Sequence, residues 1–167
     1  MHLALTTLLW LLQTPQASRP VPANTASGTA VYEGTTVKFS HGLAFWKADT
    51  HQVRVGLFNH TPPAGILAGM RAGSWGEDGP IATLYFELKP GTPVSPANIE
   101  YCFVDVSFPK DGPMGWNANS AKSCGITSLS GDFKPGGRIA AQLKGQALGS
   151  QNKPFSWDLR LNLPIAR

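Results

Sequence analysis

The sequence predicts an all-β protein, an antiparallel sandwich or barrel of about eight strands with one short helix. Three observations predict it. From Phe155 to Ile165 every odd position is large and apolar and every even one is polar or proline. Successive side chains of an extended chain point to opposite faces, so this stretch has one dry face and one wet face. Shorter runs of the same kind recur along the chain, joined by segments rich in glycine and proline, 18 and 14 of the 167 residues. Charged residues are only 14% of the chain, against roughly a quarter in a typical domain, and the 42% hydrophobic content argues against disorder.

At the N-terminus, residues 3–12 form the apolar block LALTTLLWLL. It is shorter than the roughly 20 residues that cross a bilayer, and it fits the apolar region of a secretory signal peptide. Met1 and His2 ahead of it carry no Lys or Arg, so a buried N-terminal helix stands as the other reading. No cysteine follows the block, which excludes a lipoprotein anchor there. The expected organisation is a signal peptide at 1–18, a Pro-rich flexible leader at 19–27 and a single β domain at 28–167. A secreted or periplasmic location follows, with no membrane insertion of the mature chain.

Strands are expected at 28–33 and 35–39 around Gly34, at 42–46, and at 52–58, where Val53, Val55 and Leu57 share a face. Residues 61–68 read as the one helix, with Thr61 as cap and Pro62 at the first position, lying over an open end of the sheet. A glycine-rich loop at 71–80 precedes a strand at 81–88 with Leu84, Phe86 and Leu88 on one side. After a Pro-rich loop, 99–108 is apolar on both sides, as suits a central strand. An irregular loop fills 109–123. Strands at 126–133, 138–147 and 155–165 then form an antiparallel meander, the first two joined by the turn Lys134-Pro135-Gly136-Gly137.

Cys102 and Cys124 are the only cysteines. In an exported chain they read as one disulfide, worth roughly 3 kcal/mol on the chain-entropy model. Two buried thiols are the alternative, and a single pair without nearby His ligands does not make a zinc site. The opening G-T-x-x-Y-E-G-x-x-V-x-F-x-H-x-x-A-F, the V-x-L-F-x-x-x-P-P segment and the closing strand ending in Leu-Pro-Ile resemble a class of small exported β proteins of unassigned function. The resemblance covers most of the chain after residue 27. It implies fold and export, and it carries over no functional residue.

The net charge of +4 and pI near 9.3 raise a nucleic-acid reading. The basic residues are spread from Arg19 to Arg167 without a run, whereas phosphate tracking gathers them on one face. No nucleic-acid partner is expected, and the basic bias after Lys122 reads as a solvated sheet face.

His41, His51 and His60 lack the close spacing of metal ligands on a β scaffold, and no metal or cofactor is expected. There is no Gly-x-Ser-x-Gly elbow, no Cys beside an evident base, and no phosphate-binding glycine loop, so no catalytic residue is nominated. Asp105 stands inside the apolar run of a central strand. It either marks the wet side of that strand or is a buried carboxylate with a raised pKa. Asn59-His60-Thr61 matches the N-glycosylation acceptor pattern.

Aromatic placement is the most informative functional feature. Trp75 and Trp116 fall in glycine-rich loops, with Asn117 and Asn119 near the second. They read either as a flat platform for a sugar ring or a protein partner, or as plugs folded into an open end of the sheets. The leading expectation is an exported, non-enzymatic binding or interaction module using loops 70–80 and 109–123, its ligand a glycan, a small apolar molecule or a protein. The alternative is a small exported hydrolase or metal-dependent enzyme with ligands converging from separate strands. A structural subunit is a third reading, which the oligomeric state decides.

Overall fold

The closing alternation folds as a single long strand, β10 (Pro154–Ala166), and organises the rest of the protein. Phe155, Trp157, Leu159, Leu161, Leu163 and Ile165 are each at most 2% exposed, while the residues between them face outward. The computed structural model describes residues 24–74, 77–109, 111–148 and 152–167. The expected signal peptide and Trp75 lie outside the described residues.

Among the described residues there are nine further strands and one α-helix: β1 (Thr25–Tyr32), β2 (Thr35–Phe39), β3 (His41–Lys47), β4 (Gln52–Phe58), α1 (Ile66–Ala72), β5 (Ala82–Leu88), β6 (Ile99–Phe108), β7 (Gly112–Ala118), β8 (Ile126–Asp132) and β9 (Arg138–Leu148). One group of strands runs in the order β2-β1-β10-β9-β8 and the other β3-β4-β5-β6-β7. Every pairing is antiparallel except one: the end of β10 pairs with β3 in parallel, Ile165 opposite Ala44 and Ala166 opposite Phe45. β10 therefore belongs to both layers and joins them into one ten-stranded mixed sheet that does not close into a barrel.

The two layers share one core. Tyr32 of β1 meets Phe108 of β6 with ring centroids 5.7 Å apart, and Phe108 meets Phe155 of β10 edge-on at 6.1 Å. The Cys102–Cys124 disulfide ties β6 to the segment leading into β8, with Cα atoms 6.4 Å apart and both residues buried. Trp157 donates its indole N–H to the Cys124 carbonyl at 3.2 Å, so the largest core ring is anchored to the same bridge. Gly145 of β9, directly across from Trp157, leaves the room this ring takes. A Cβ there would lie 2.4 Å from the indole.

Four expectations need correction. Among the described residues there are ten strands rather than about eight, because the stretch expected as an irregular loop contains β7, paired with β6 from Cys102–Ala118 to Phe108–Gly112. β1 starts at Thr25, so the last residues of the expected leader are strand, held opposite Asn162 to Arg160 of β10. The helix begins at Ile66 rather than Thr61, with Gly65 in the left-handed conformation before it. It also lies on the outer face of the second layer rather than over an open end. There its Met70, with Ile66 and Leu67, buries Phe45 and Phe58, the outward-facing apolar residues of β3 and β4.

β6 is a central strand, but only one side of it is core. Cys102, Val104, Val106 and Phe108 are buried, whereas Tyr101, Phe103 and Asp105 are half-exposed on the other face. Among the described residues no helix is long and apolar enough to cross a membrane.

Candidate functional site

A cleft of about 410 Å³ opens at one end of the molecule, between the layers. On one side stand Trp46, near the end of β3, and Leu88, at the end of β5. The loop from Lys89 to Val94 forms a second wall, and Gly131 to Phe133 at the end of β8 close the other side. This volume falls within the roughly 300–1,000 Å³ typical of small-molecule pockets. Trp46, Leu88, Val94 and Phe133 are partly buried, with one side against the main core and the other free to line the cleft.

The walls are built rather than loose. In the loop after β5, the Lys89 amide donates to the Asn98 carbonyl at 2.9 Å and the Thr92 hydroxyl to the Lys89 carbonyl at 2.7 Å. Asn98 donates its side-chain amide to the Pro93 carbonyl at 2.9 Å. Pro90, Pro93 and Pro96 fix φ along the same stretch, so little conformational freedom is left to lose on binding. Across the cleft, the Asp132 carboxylate pairs with Lys134 at 2.6 Å in the β8–β9 turn.

His51 completes the rim. It ends a short 3₁₀ turn over Ala48–Thr50 in the left-handed conformation, φ 50° and ψ 39°. For a residue with a Cβ this costs on the order of 1–2 kcal/mol, a strain that concentrates at functional sites. Its ring meets Trp46 edge-on at 6.1 Å. The cleft thus offers two aromatic surfaces, Trp46 and Phe133, with an imidazole, a carboxylate and a hydroxyl around them.

Of the residues nominated from sequence, Trp75 is outside the described residues, and Trp116 and Asn119 lie elsewhere. Trp116 sits on β7, half-buried against the main core, and donates its indole N–H to the Ser123 carbonyl at 3.0 Å. Asn117 is its neighbour in β7, opposite Phe103, and Asn119 is exposed just beyond the strand. Neither Trp116 nor Asn119 contributes to the cleft. Trp46 and Phe133 escaped the sequence reading because each falls at the edge of a strand run, where burial alone accounts for an aromatic residue. Only pairing of the layers brings them together.

The other two histidines of the mature chain have local partners. His41 shares a hydrogen bond with the Ser40 hydroxyl at 2.9 Å, and His60 donates to the Asn59 side-chain oxygen at 2.8 Å. Asp105 lies on the outer face of β6, with Thr83 across from it in β5 and Gly115 in β7. Partial burial lifts its carboxyl above the ordinary range, against the opposing pull of the Val106 N–H. Among the described residues no group of three or more His, Cys, Asp or Glu gathers as a metal ion would need. No protein-family model, curated protein or solved structure matches the chain.

Proposed function

We propose that this chain is an exported, non-enzymatic binding module whose open-end cleft takes a sugar ring of a glycan. The observation that carries this is the convergence of Trp46 and Phe133 with His51, Asp132 and Thr92 around one preformed cleft. Aromatic faces take the C–H face of a sugar, while polar side chains at the rim bond its hydroxyls, the mix of apolar lining and few polar groups that small-ligand sites use. Export is supported by the N-terminal apolar block and by the disulfide, which persists in oxidising compartments.

The test is a glycan array probed with the mature protein, followed by titration of any retained sugar. Trp46→Ala and Phe133→Ala should each weaken binding by about two- to tenfold, the scale of an aromatic contact worth about 0.5–1.5 kcal/mol beyond its buried area. Far-UV circular dichroism checks that the sheet survives. An array on which nothing binds, or unaltered affinity in both variants, would reject the reading.

A further inference from the structure

The outer face of the second layer carries a row that lies outside the main core. Phe45, Arg54, Tyr85 and Phe103 stand opposite one another across β3, β4, β5 and β6. Their chain neighbours Val53, Val55, Leu84, Phe86, Cys102 and Val104 point into the core. Arg54 lies over Tyr85, its guanidinium carbon 4.5 Å from the ring centroid, and Tyr85 stacks on Phe103 with centroids 5.1 Å apart.

The guanidinium is held in place by a side chain buried for no other evident purpose. Gln52 is 8% exposed, the single buried polar residue among those described. Its Oε1 accepts from Arg54 Nε and Nη2 at 3.2 and 3.1 Å, and its Nε2 donates to the Glu87 carboxylate at 2.8 Å. Burying an amide is unfavourable unless both ends are bonded, and here both ends serve to orient Arg54. The neutral amide also keeps Glu87 from neutralising the cation directly. Among the described residues the ion pairs involve other partners, and Arg54 forms none. Of its five N–H donors, only those on Nε and one on Nη2 are engaged by Gln52.

Beside this cation is a cavity of about 180 Å³, lined by Arg54, Tyr85, Phe45, Met70 and Thr83. Met70 forms its helix-side wall because Gly56 lies beneath: a Cβ there would fall 2.5 Å from the Met70 methyl. An apolar cavity of about 150 Å³ holds a benzene ring. The occupant therefore has room for one ring or a short apolar tail, and the oriented guanidinium at the edge calls for a planar anion able to accept two N–H bonds. We infer that this pocket binds a small monocarboxylate, its carboxylate on Arg54 and its apolar part between Phe45, Met70 and Tyr85. The site is separate from the open-end cleft and stands or falls independently of it.

Benzoate is the probe, and the Met70 methyl is the reporter. In protein labelled at the methionine methyls, titration with millimolar benzoate should shift the Met70 signal and leave that of the core residue Met114 in place. Benzamide, the same shape without charge, should bind at least about tenfold more weakly, since hydrogen bonds to a charged group are worth at least ~1.5 kcal/mol. Arg54→Gln should weaken benzoate by a similar factor while Met114 keeps its position. Gln52→Leu, which releases Arg54 without removing it, should produce a smaller loss. An unmoved Met70 signal, equal affinities for benzoate and benzamide, or undiminished benzoate binding in Arg54→Gln would each overturn the inference. If Arg54→Gln does not fold, the comparison of benzoate with benzamide on the unaltered protein decides alone.

Discussion

Replacing Gly145 with alanine should destabilise the protein by about 1–3 kcal/mol, even though alanine is the better strand residue. Glycine inside a strand ordinarily costs about 0.5–1 kcal/mol relative to alanine, so local preference alone predicts a gain. Space reverses the sign. The added methyl would lie 2.4 Å from Trp157 Cζ2 and 2.6 Å from Cε2, well inside van der Waals contact. The ring has nowhere to retreat, being 2% exposed, 5.0 Å from the Phe155 centroid and bonded through Nε1 to the Cys124 carbonyl. Overpacking a core in this way costs about 1–3 kcal/mol, and surrendering the indole hydrogen bond adds about 0.5–1.5. Urea denaturation followed by fluorescence and circular dichroism measures the difference. A double-mutant cycle assigns its cause: in a Trp157→Leu background the same alanine should be neutral or stabilising. An unchanged midpoint for Gly145→Ala, or an equal cost in both backgrounds, would refute the steric account.

Two further outcomes follow from the geometry. Trp116→Ala should cost about 2–4 kcal/mol, somewhat less than truncation of a fully buried tryptophan, because its ring packs against the core and bonds Ser123; an unchanged melting temperature would restore it as a contact residue. Asp105→Asn should stabilise the protein at neutral pH, and the advantage should shrink as the pH falls. The folded carboxyl holds its proton more tightly than the unfolded one, so its ionisation is a penalty present above the folded pKa and fully relieved below the unfolded value near 3.8. Melts of the two proteins between pH 7 and 3 check the sign, and a gap that widens on acidification would contradict it.

Period-two patterning made most of the sheet legible before any coordinates. β4 and β6 were readable to the residue, and the inward set of β10 follows directly from its alternation. β7 was hidden because Gly112, Pro113, Gly115 and Asn117 carry turn-like composition, although Met114, Trp116 and Ala118 pack against the core. Pairing with β6 overrides that local preference. The helix start was misplaced for a related reason: Thr61, Pro62 and Pro63 look like a cap, but they carry no regular structure, and a turn over Ala64 and Gly65 comes before the helix. The open-end cleft needed three separate segments brought together by the fold, which no spacing encodes. The row on the outer face was present in the pattern: once Val53 and Val55, Leu84 and Phe86, Cys102 and Val104 are assigned inward, Arg54, Tyr85 and Phe103 must point outward together.

Because β10 is the seam between the layers, neither is complete without it. Thr25 at the start of β1 waits for Asn162, and Ala44 of β3 waits for Ile165. A chain emerging N-terminus first must therefore keep the β1–β2 hairpin with one open edge until the last strand arrives, a state prone to pairing with the wrong partner. Closing so long a loop also places assembly among the slower, millisecond-to-second class of β topologies. The order of synthesis and the order of assembly are opposed in this molecule, and its kinetic weak point is the interval between them.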